Sequence, residues 1–144
     1  VWNEAAAPVL PEAREAQLDE IFLPGPTGEL NRLTRHVRGP ILCLGPGREA
    51  AAAQAAAVTA LGGQAVQASG AVPPKALETL EPLAAVLWWG EAETGRAYAC
   101  ALAARPGALV PLIAARPDLA HVVHERHLCV DTTAAGGNAA LLAG

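Results

Sequence analysis

The residues in this chain whose types and spacing could do chemistry are few. Gly45-Pro46-Gly47-Arg48-Glu49-Ala50 fits the dinucleotide pattern G-x-G-x-x-G/A. It stands between the apolar run Ile41-Leu42-Cys43-Leu44 and an alanine-rich helical stretch, where free backbone N–H groups and a helix dipole could hold a pyrophosphate. Gly45 and Gly47 are therefore the candidate cofactor-binding residues. Against them, the next strand should end in a carboxylate for the ribose, and Gln67-Ala68-Ser69-Gly70 has none, while Glu49 sets a negative charge beside the phosphates. A tight strand-to-helix turn without a cofactor is the favoured reading.

His121, His124 and His127 recur every three residues, which could set two on one helical face as metal ligands. No carboxylate follows them in zincin order, so a polar stripe is expected and no metal site. Cys43, Cys100 and Cys129 form no C-x-x-C and lie in apolar segments, which predicts buried structural thiols. The only serine, Ser69, is outside any G-x-S-x-G elbow, and Asp131, Thr132 and Thr133 have no neighbouring histidine. No catalytic constellation emerges, and no catalytic residue is assigned.

A chain of 144 residues suits one domain with a single core. Aromatic residues are only 3% of it, so the core must be built from Ala, Leu and Val, which implies close helix-to-sheet approach. A net charge of -4 and a lone lysine, Lys75, argue against a nucleic-acid partner, which needs clustered cations. No apolar run reaches the roughly 18 residues of a membrane span, and no signal-peptide order opens the chain. Three unpaired cysteines fit a reducing compartment, the cytoplasm by default. With no methionine present, the chain is expected to be a processed product or a piece of a longer protein.

The elements that must position these residues follow from the hydrophobic pattern. Residues 1–28 read as an approach segment and linker, with a possible helix from Ala13 to Phe22 before the breaker Pro24-Gly25-Pro26. Residues 29–128 read as the main domain. Glu29 to Arg38 alternates loosely, as a partly exposed or edge strand would, and Arg32, Arg35 and Arg38 on it make a plausible docking edge. Strands then alternate with helices: Ile41–Leu44, a helix from Glu49 to Leu61 closed by Gly62-Gly63, Ala65–Ala68, a helix from Lys75 to Leu83, Ala85–Trp89, a helix from Glu91 to Arg105, and Leu109–Ile113, whose Pro111 suits a sheet edge. One or two helical turns from Leu119 to Arg126 lead to a last strand, and residues 129–144 hold its end and a tail. Such alternation predicts a Rossmann-like, open, mostly parallel α/β sheet with helices on both faces.

Three segments also resemble a known family. Val130-Asp131-Thr132-Thr133-Ala134-Ala135-Gly136-Gly137-Asn138-Ala139 resembles the C-terminal motif of the proline utilization A flavoenzymes, Val-Asn-Thr-Thr-Ala-Ala-Gly-Gly-Asn-Ala. Gly25-Pro26-Thr27-Gly28-Glu29-Leu30-Asn31 and Arg38-Gly39-Pro40-Ile41-Leu42-Cys43-Leu44 are similar to two other segments of that family, in the same order. The resemblance implies the noncatalytic, aldehyde-dehydrogenase-like C-terminal domain of a bifunctional enzyme. In such enzymes an FAD-dependent proline dehydrogenase module makes pyrroline-5-carboxylate and an NAD-dependent aldehyde dehydrogenase module oxidises its hydrolysis product, glutamate semialdehyde, to glutamate. The implied partners are those two modules of the same polypeptide, with homo-oligomerisation of the whole. The implied role is subunit assembly and sealing of the cavity that channels the intermediate, with Asp131, Thr132, Thr133, Gly136, Gly137 and Asn138 as the interaction motif. Asp131 stands where that family usually has Asn, and Ala140 where it has Ser.

Overall fold

A computed structural model describes residue 3 and residues 7–132 of the chain. Its centre is a parallel four-stranded sheet in the order β4-β3-β5-β6, with β3 at Ile41–Cys43, β4 at Ala65–Gln67, β5 at Ala85–Leu87 and β6 at Leu112–Ile113. The central runs Ile41–Cys43 and Ala85–Leu87 are continuously apolar and fully buried because both faces of a parallel sheet are covered, whereas edge strand β4 ends in the exposed Gln67. Side chains alternate across the strands. One face sends Leu42 and Val86 toward α2 (Ala92–Ala103) and a 3-10 turn at Pro74–Glu78, where Leu77, Tyr98 and Leu102 complete a core. The other sends Ile41, Cys43 and Leu87 toward α1 (Gly47–Ala60) and α3 (Leu119–Val122), where Val58 and Val122 close a second core. The fold is thus Rossmann-like: an open parallel α/β sheet between two helical layers.

Small residues set the spacing. Helix α1 buries Ala51, Gln54 and Val58, one stripe at intervals of three and four. It ends as its glycine pair predicts, Gly62 N–H donating to Thr59 O (2.9 Å) and Gly63 N–H to Val58 O (3.0 Å). The helix expected from Lys75 to Leu83 shrinks to the 3-10 turn, because Pro82 disfavours helical geometry at the residue before it. Pro111 precedes edge strand β6 and contributes only its carbonyl, which accepts from Val86 N–H (3.0 Å).

Beside this domain stands a second sheet, three antiparallel strands in the order β1-β2-β7: β1 at Gln17–Leu23, β2 at Glu29–Val37 and β7 at Val123–Asp131. It corrects three expectations. The residues read as a helix from Ala13 to Phe22 form β1, since pairing with β2 in a hairpin satisfies their backbone groups better than an isolated short helix would. Strand β2 is central and paired on both sides, not an edge. The last strand leaves the parallel sheet and pairs with β2 over nine residues, from Glu29 opposite Asp131 to Val37 opposite Val123. The sheet spans both segment divisions, 28/29 and 128/129.

The turn after β3 depends on one buried side chain. Gln54, fully buried, accepts from Gly45 N–H (2.9 Å) and donates to Gly45 O (2.8 Å), which also accepts from Trp89 N–H (2.9 Å). Gly45 has φ +101°, and a Cβ there would stand 2.5 Å from Gly47 N. Gln54→Leu strands the Gly45 N–H in the core, so urea denaturation should show a loss of about 2 kcal/mol, within the range for an orphaned buried donor.

Candidate functional site

Two places hold the residues singled out by sequence. The first is the turn Gly45-Pro46-Gly47, at the carboxyl end of β3 and beside β5, where the strand order reverses. Crevices at such switch points are where open α/β sheets hold ligands. Here the crevice is occupied from within: Gln54 takes the Gly45 N–H, and Trp89 N–H closes on Gly45 O. Gly47 keeps open space around its Cα, but Glu49 lies in the first turn of α1, and Gln67 at the end of β4 reaches back to Arg48 O (3.4 Å). A pyrophosphate at this turn would find its first donor taken and a carboxylate nearby.

The second place is the antiparallel sheet. Its register sorts residues by parity. One face carries Asp19, Ile21, Asn31, Arg35, Glu125, His127 and Cys129; the other carries Phe22, Leu30, Arg32, His36, His124, Leu128 and Val130. The three arginines of β2 therefore form no row. Arg32 lies on the second face with Glu20 (3.2 Å). Arg35 lies on the first, where its Nε donates to both carboxylate oxygens of Asp19 (2.9 and 3.0 Å). That bond holds the Asp19 carboxyl below its ordinary range and raises the Arg35 guanidinium. Arg38 follows the strand and bridges α3 to β7, donating through Nε to Ala120 O and Val123 O (3.1 Å each).

The histidines also separate. His121 caps the start of α3, accepting at Nδ1 from Asp118 N–H (3.0 Å). His124 and His127, three apart on a strand, point to opposite faces. His127 Nε2 meets Asn31 Oδ1 (3.1 Å), and His124 stacks on His36 with ring centroids 5.4 Å apart. Among the described residues no three His, Cys, Asp or Glu side chains stand together as a metal site would need. Cys43 is buried, and burial pushes its thiol up to about 12. Cys100 and Cys129 are exposed, contrary to expectation, because Cys100 faces outward on α2 and Cys129 lies on a sheet face that no other described element covers. The Cys129 thiol donates to Glu29 Oε1 (3.1 Å), and this bond raises its pKa. Of the tail motif, Thr132 donates through both N–H and Oγ1 to Gly28 O (2.8 and 2.6 Å), tying the end of β7 to the β1–β2 turn. Asp131 stands opposite Glu29. Thr133, Gly136, Gly137 and Asn138 lie outside the described residues.

What sequence reasoning missed is an apolar patch on the second face. Leu30 pairs with Val130, and Arg32 lies between Phe22 and Leu128. Phe22 is 63% exposed, Leu30 48%, Leu128 44% and Val130 40%. On the opposite face Ile21 and Leu23 are exposed as well. The even spacing of Leu30, Leu128 and Val130 was the available signal, once β1 is read as a strand and β7 as its companion in the sheet.

These features define a class: a Rossmann-like α/β module carrying an antiparallel flap with apolar surface on both faces. Comparison with known proteins takes the identification further. No family model matches the chain. It is 38% identical to the bifunctional protein PutA of Salmonella typhimurium and 36% identical to that of Escherichia coli, each over 84% of this chain and 11% of the relative. The PutA of Rhizobium meliloti is 33% identical over 86% of this chain and 12% of the relative. Among solved structures, a variant of Bradyrhizobium japonicum proline utilization A (PutA) superposes with a TM-score of 0.50 at 26% identity, covering 65% of this chain and 13% of that one. The chain is a homologue of one segment of the PutA proteins, and it spans about a ninth of the length of the curated relatives it matches.

The His36–His124 stack has a pH consequence. Burial, then the charges of Arg126, Arg38 and His36, lower the His124 pKa from 6.5, while Glu15 opposes them. A depressed histidine favours its neutral form in the folded state, so its contribution is intact above pH 6.5 and is lost as pH falls from there through the folded-state value. Urea midpoints should drop between pH 7.5 and 5.5, and His124→Gln should flatten that drop; an equal slope in both proteins would remove His124 as its source.

Proposed function

We propose that this chain is the noncatalytic C-terminal domain of a bifunctional proline-catabolic enzyme, which converts proline to glutamate through pyrroline-5-carboxylate, and that it serves assembly and sealing of the channelling cavity. FAD and NAD would be held by the proline dehydrogenase and aldehyde dehydrogenase modules elsewhere in the polypeptide. The observation that carries this reading is the two-faced antiparallel sheet. A three-stranded sheet with Phe22, Leu30, Leu128 and Val130 exposed on one face has surface that normally packs against a partner. Strand β7 also lies at the edge of this sheet, a position suited to strand addition. Because β2 is central, the docking row expected along Arg32, Arg35 and Arg38 moves to the sheet's edges and apolar face. The three arginines then hold the sheet in shape through Glu20, Asp19 and the carbonyls of α3 and β7.

Thr132 anchors the start of the tail at Gly28, so the segment carrying Thr133, Gly136, Gly137 and Asn138 leaves from the far end of the flap. In this reading it reaches the aldehyde dehydrogenase module and packs beside its site, as the family resemblance implies, and a second subunit completes the assembly.

In the full-length protein, Phe22→Asp with Leu128→Asp should lower coupled proline-to-glutamate flux several-fold, with sedimentation showing altered assembly, while proline dehydrogenase turnover stays near wild type. Removal of residues 133–144, which leaves β7 whole, should lower coupled flux and aldehyde dehydrogenase activity. Unchanged flux and unchanged aldehyde dehydrogenase activity in both variants would sink the proposal.

A further inference from the structure

The flap meets the α/β domain at a pair of histidines that docking through its apolar face leaves unused. His36 and His124 stand opposite each other in the β2–β7 register, and their rings stack with centroids 5.4 Å apart and planes 11° apart. His36 is only 8% exposed. Its Nε2 lies 3.0 Å from Thr34 Oγ1, and that hydroxyl donates its own proton to Arg126 O (3.4 Å), so the bond between them takes its proton from His36 Nε2. Nδ1 is then the bare nitrogen. It is buried and has no hydrogen-bond partner among the described residues. A second proton on this ring would create a buried N–H with no acceptor, the costly way to leave a polar group unmatched.

The charges around the pair are also set against an added proton. Each carboxylate on the surrounding elements already has a partner of its own. On the approach to β1, Glu15 is held by Arg126 (3.0 Å), and on β1 Glu20 is held by Arg32 (3.2 Å). Across the cleft to the domain Glu81 stands 3.8 Å from Arg105, and on α3, which packs on β7, Asp118 stands 2.8 Å from His121. Glu125 points to the opposite face of the sheet, beside Arg35. Arg38 spends its Nε on two carbonyls and has no carboxylate partner among the described residues. A histidine that gains charge here therefore finds the guanidinium groups of Arg126 and Arg38 and a second imidazole close by, and no carboxylate to itself. Two imidazolium rings at 5.4 Å repel each other, and the movement that relieves them parts the strands at the root.

We infer that the His36–His124 stack is a proton-operated latch for the flap: with both rings neutral the root of β2 and β7 stays paired, and with protons on the pair it opens while the parallel sheet stays folded. The opening is local. The flap is a ladder of its own, β1-β2-β7, sharing no strand with the parallel sheet, so its loss leaves that sheet's backbone bonds intact. The sign follows from the neutral rings: they support the flap above the ordinary histidine value of 6.5 and cease to as pH falls from there. Global stability falls with pH whether or not the flap opens first; the latch adds that β2 and β7 open before the parallel sheet does. Only its consequence rests on the docking reading, in which acidification withdraws the face of Phe22, Leu30, Leu128 and Val130 from its partner.

Amide hydrogen exchange on the full-length protein that carries this segment, read by mass spectrometry at pH 7.5 and 5.5 and corrected for intrinsic exchange rates, tests the latch. The expected result is a loss of protection of about tenfold or more in peptides from β2 and β7 at pH 5.5, with peptides from β3 and β5 unchanged. His124→Phe keeps a ring on His36 without a titratable nitrogen, and His124→Gln is a smaller neutral replacement; in both, the flap should stay protected at pH 5.5. Equal protection at the two pH values in the wild type overturns the latch. So does an equal loss in wild type and both variants, a loss shared by the parallel sheet, or a flap already unprotected at pH 7.5 in both variants. Sedimentation of the same samples keeps the docking reading separate: a flap that opens in acid while assembly is unchanged supports the latch and counts against docking through that face.

Discussion

The antiparallel pairing of β2 with β7 is the constraint on which the second half of the architecture rests. It joins residues far apart in the chain, Glu29 to Asp131 and Val37 to Val123, in one unbroken register. Without it β1 would have only a two-stranded hairpin to belong to, and isolated hairpins are marginal in water. With it, the chain leaves the parallel sheet at Val123 and returns to the strand laid down before that sheet began. Closing so long a loop costs entropy, and the nine-residue ladder offsets it. Arg38 fastens the junction, its backbone N–H bonded to Val122 O (2.8 Å) and its side chain to carbonyls of α3 and β7.

The parallel sheet was legible in the sequence because its physics is local. Ile41 to Leu44 and Ala85 to Leu87 are continuously apolar, each ends at glycine or tryptophan turns, and alanine-rich helices with clear stops lie between. The flap was not legible for the same reason reversed. Leu18, Ile21 and Phe22 satisfy a helical spacing about as well as a strand's, and only the presence of β2 and β7 decides between them. Glu29 to Val37 showed alternation, but a strand's neighbours are not written in its own residues. Its alternation fits a partly exposed strand, which β2 is, but cannot tell an edge from the middle of the sheet, where β2 lies.

The candidate sites divide likewise. The glycine turn was found by pattern, and the doubt raised by Glu49 and Gln67 has a physical counterpart in Gln54, whose amide satisfies the turn from inside. Nothing in the one-dimensional spacing marks Gln54, a polar residue among alanines, as the one that turns inward. The histidine triplet looked like a motif until β7 replaced the helix expected from Leu119 to Arg126, which ends at Val122. After that, a spacing of three means opposite faces.

The connection between the two sheets gives the flap leverage. Three described segments cross it: the approach to β1, whose Ala16 O accepts from Val37 N–H, the end of β2 at Val37 and the start of β7 at Val123. Nine extended residues reach about 30 Å beyond that point. A rotation of roughly 10° at the root would therefore sweep the tip, where Leu30, Val130 and the Thr132 anchor lie, through about 5 Å, more than one strand spacing. The few bonds of Arg38 thus act like the bearing of a lever: small angular tolerance at the domain sets where a distant surface arrives, and the aim of the tip is decided far from the tip itself.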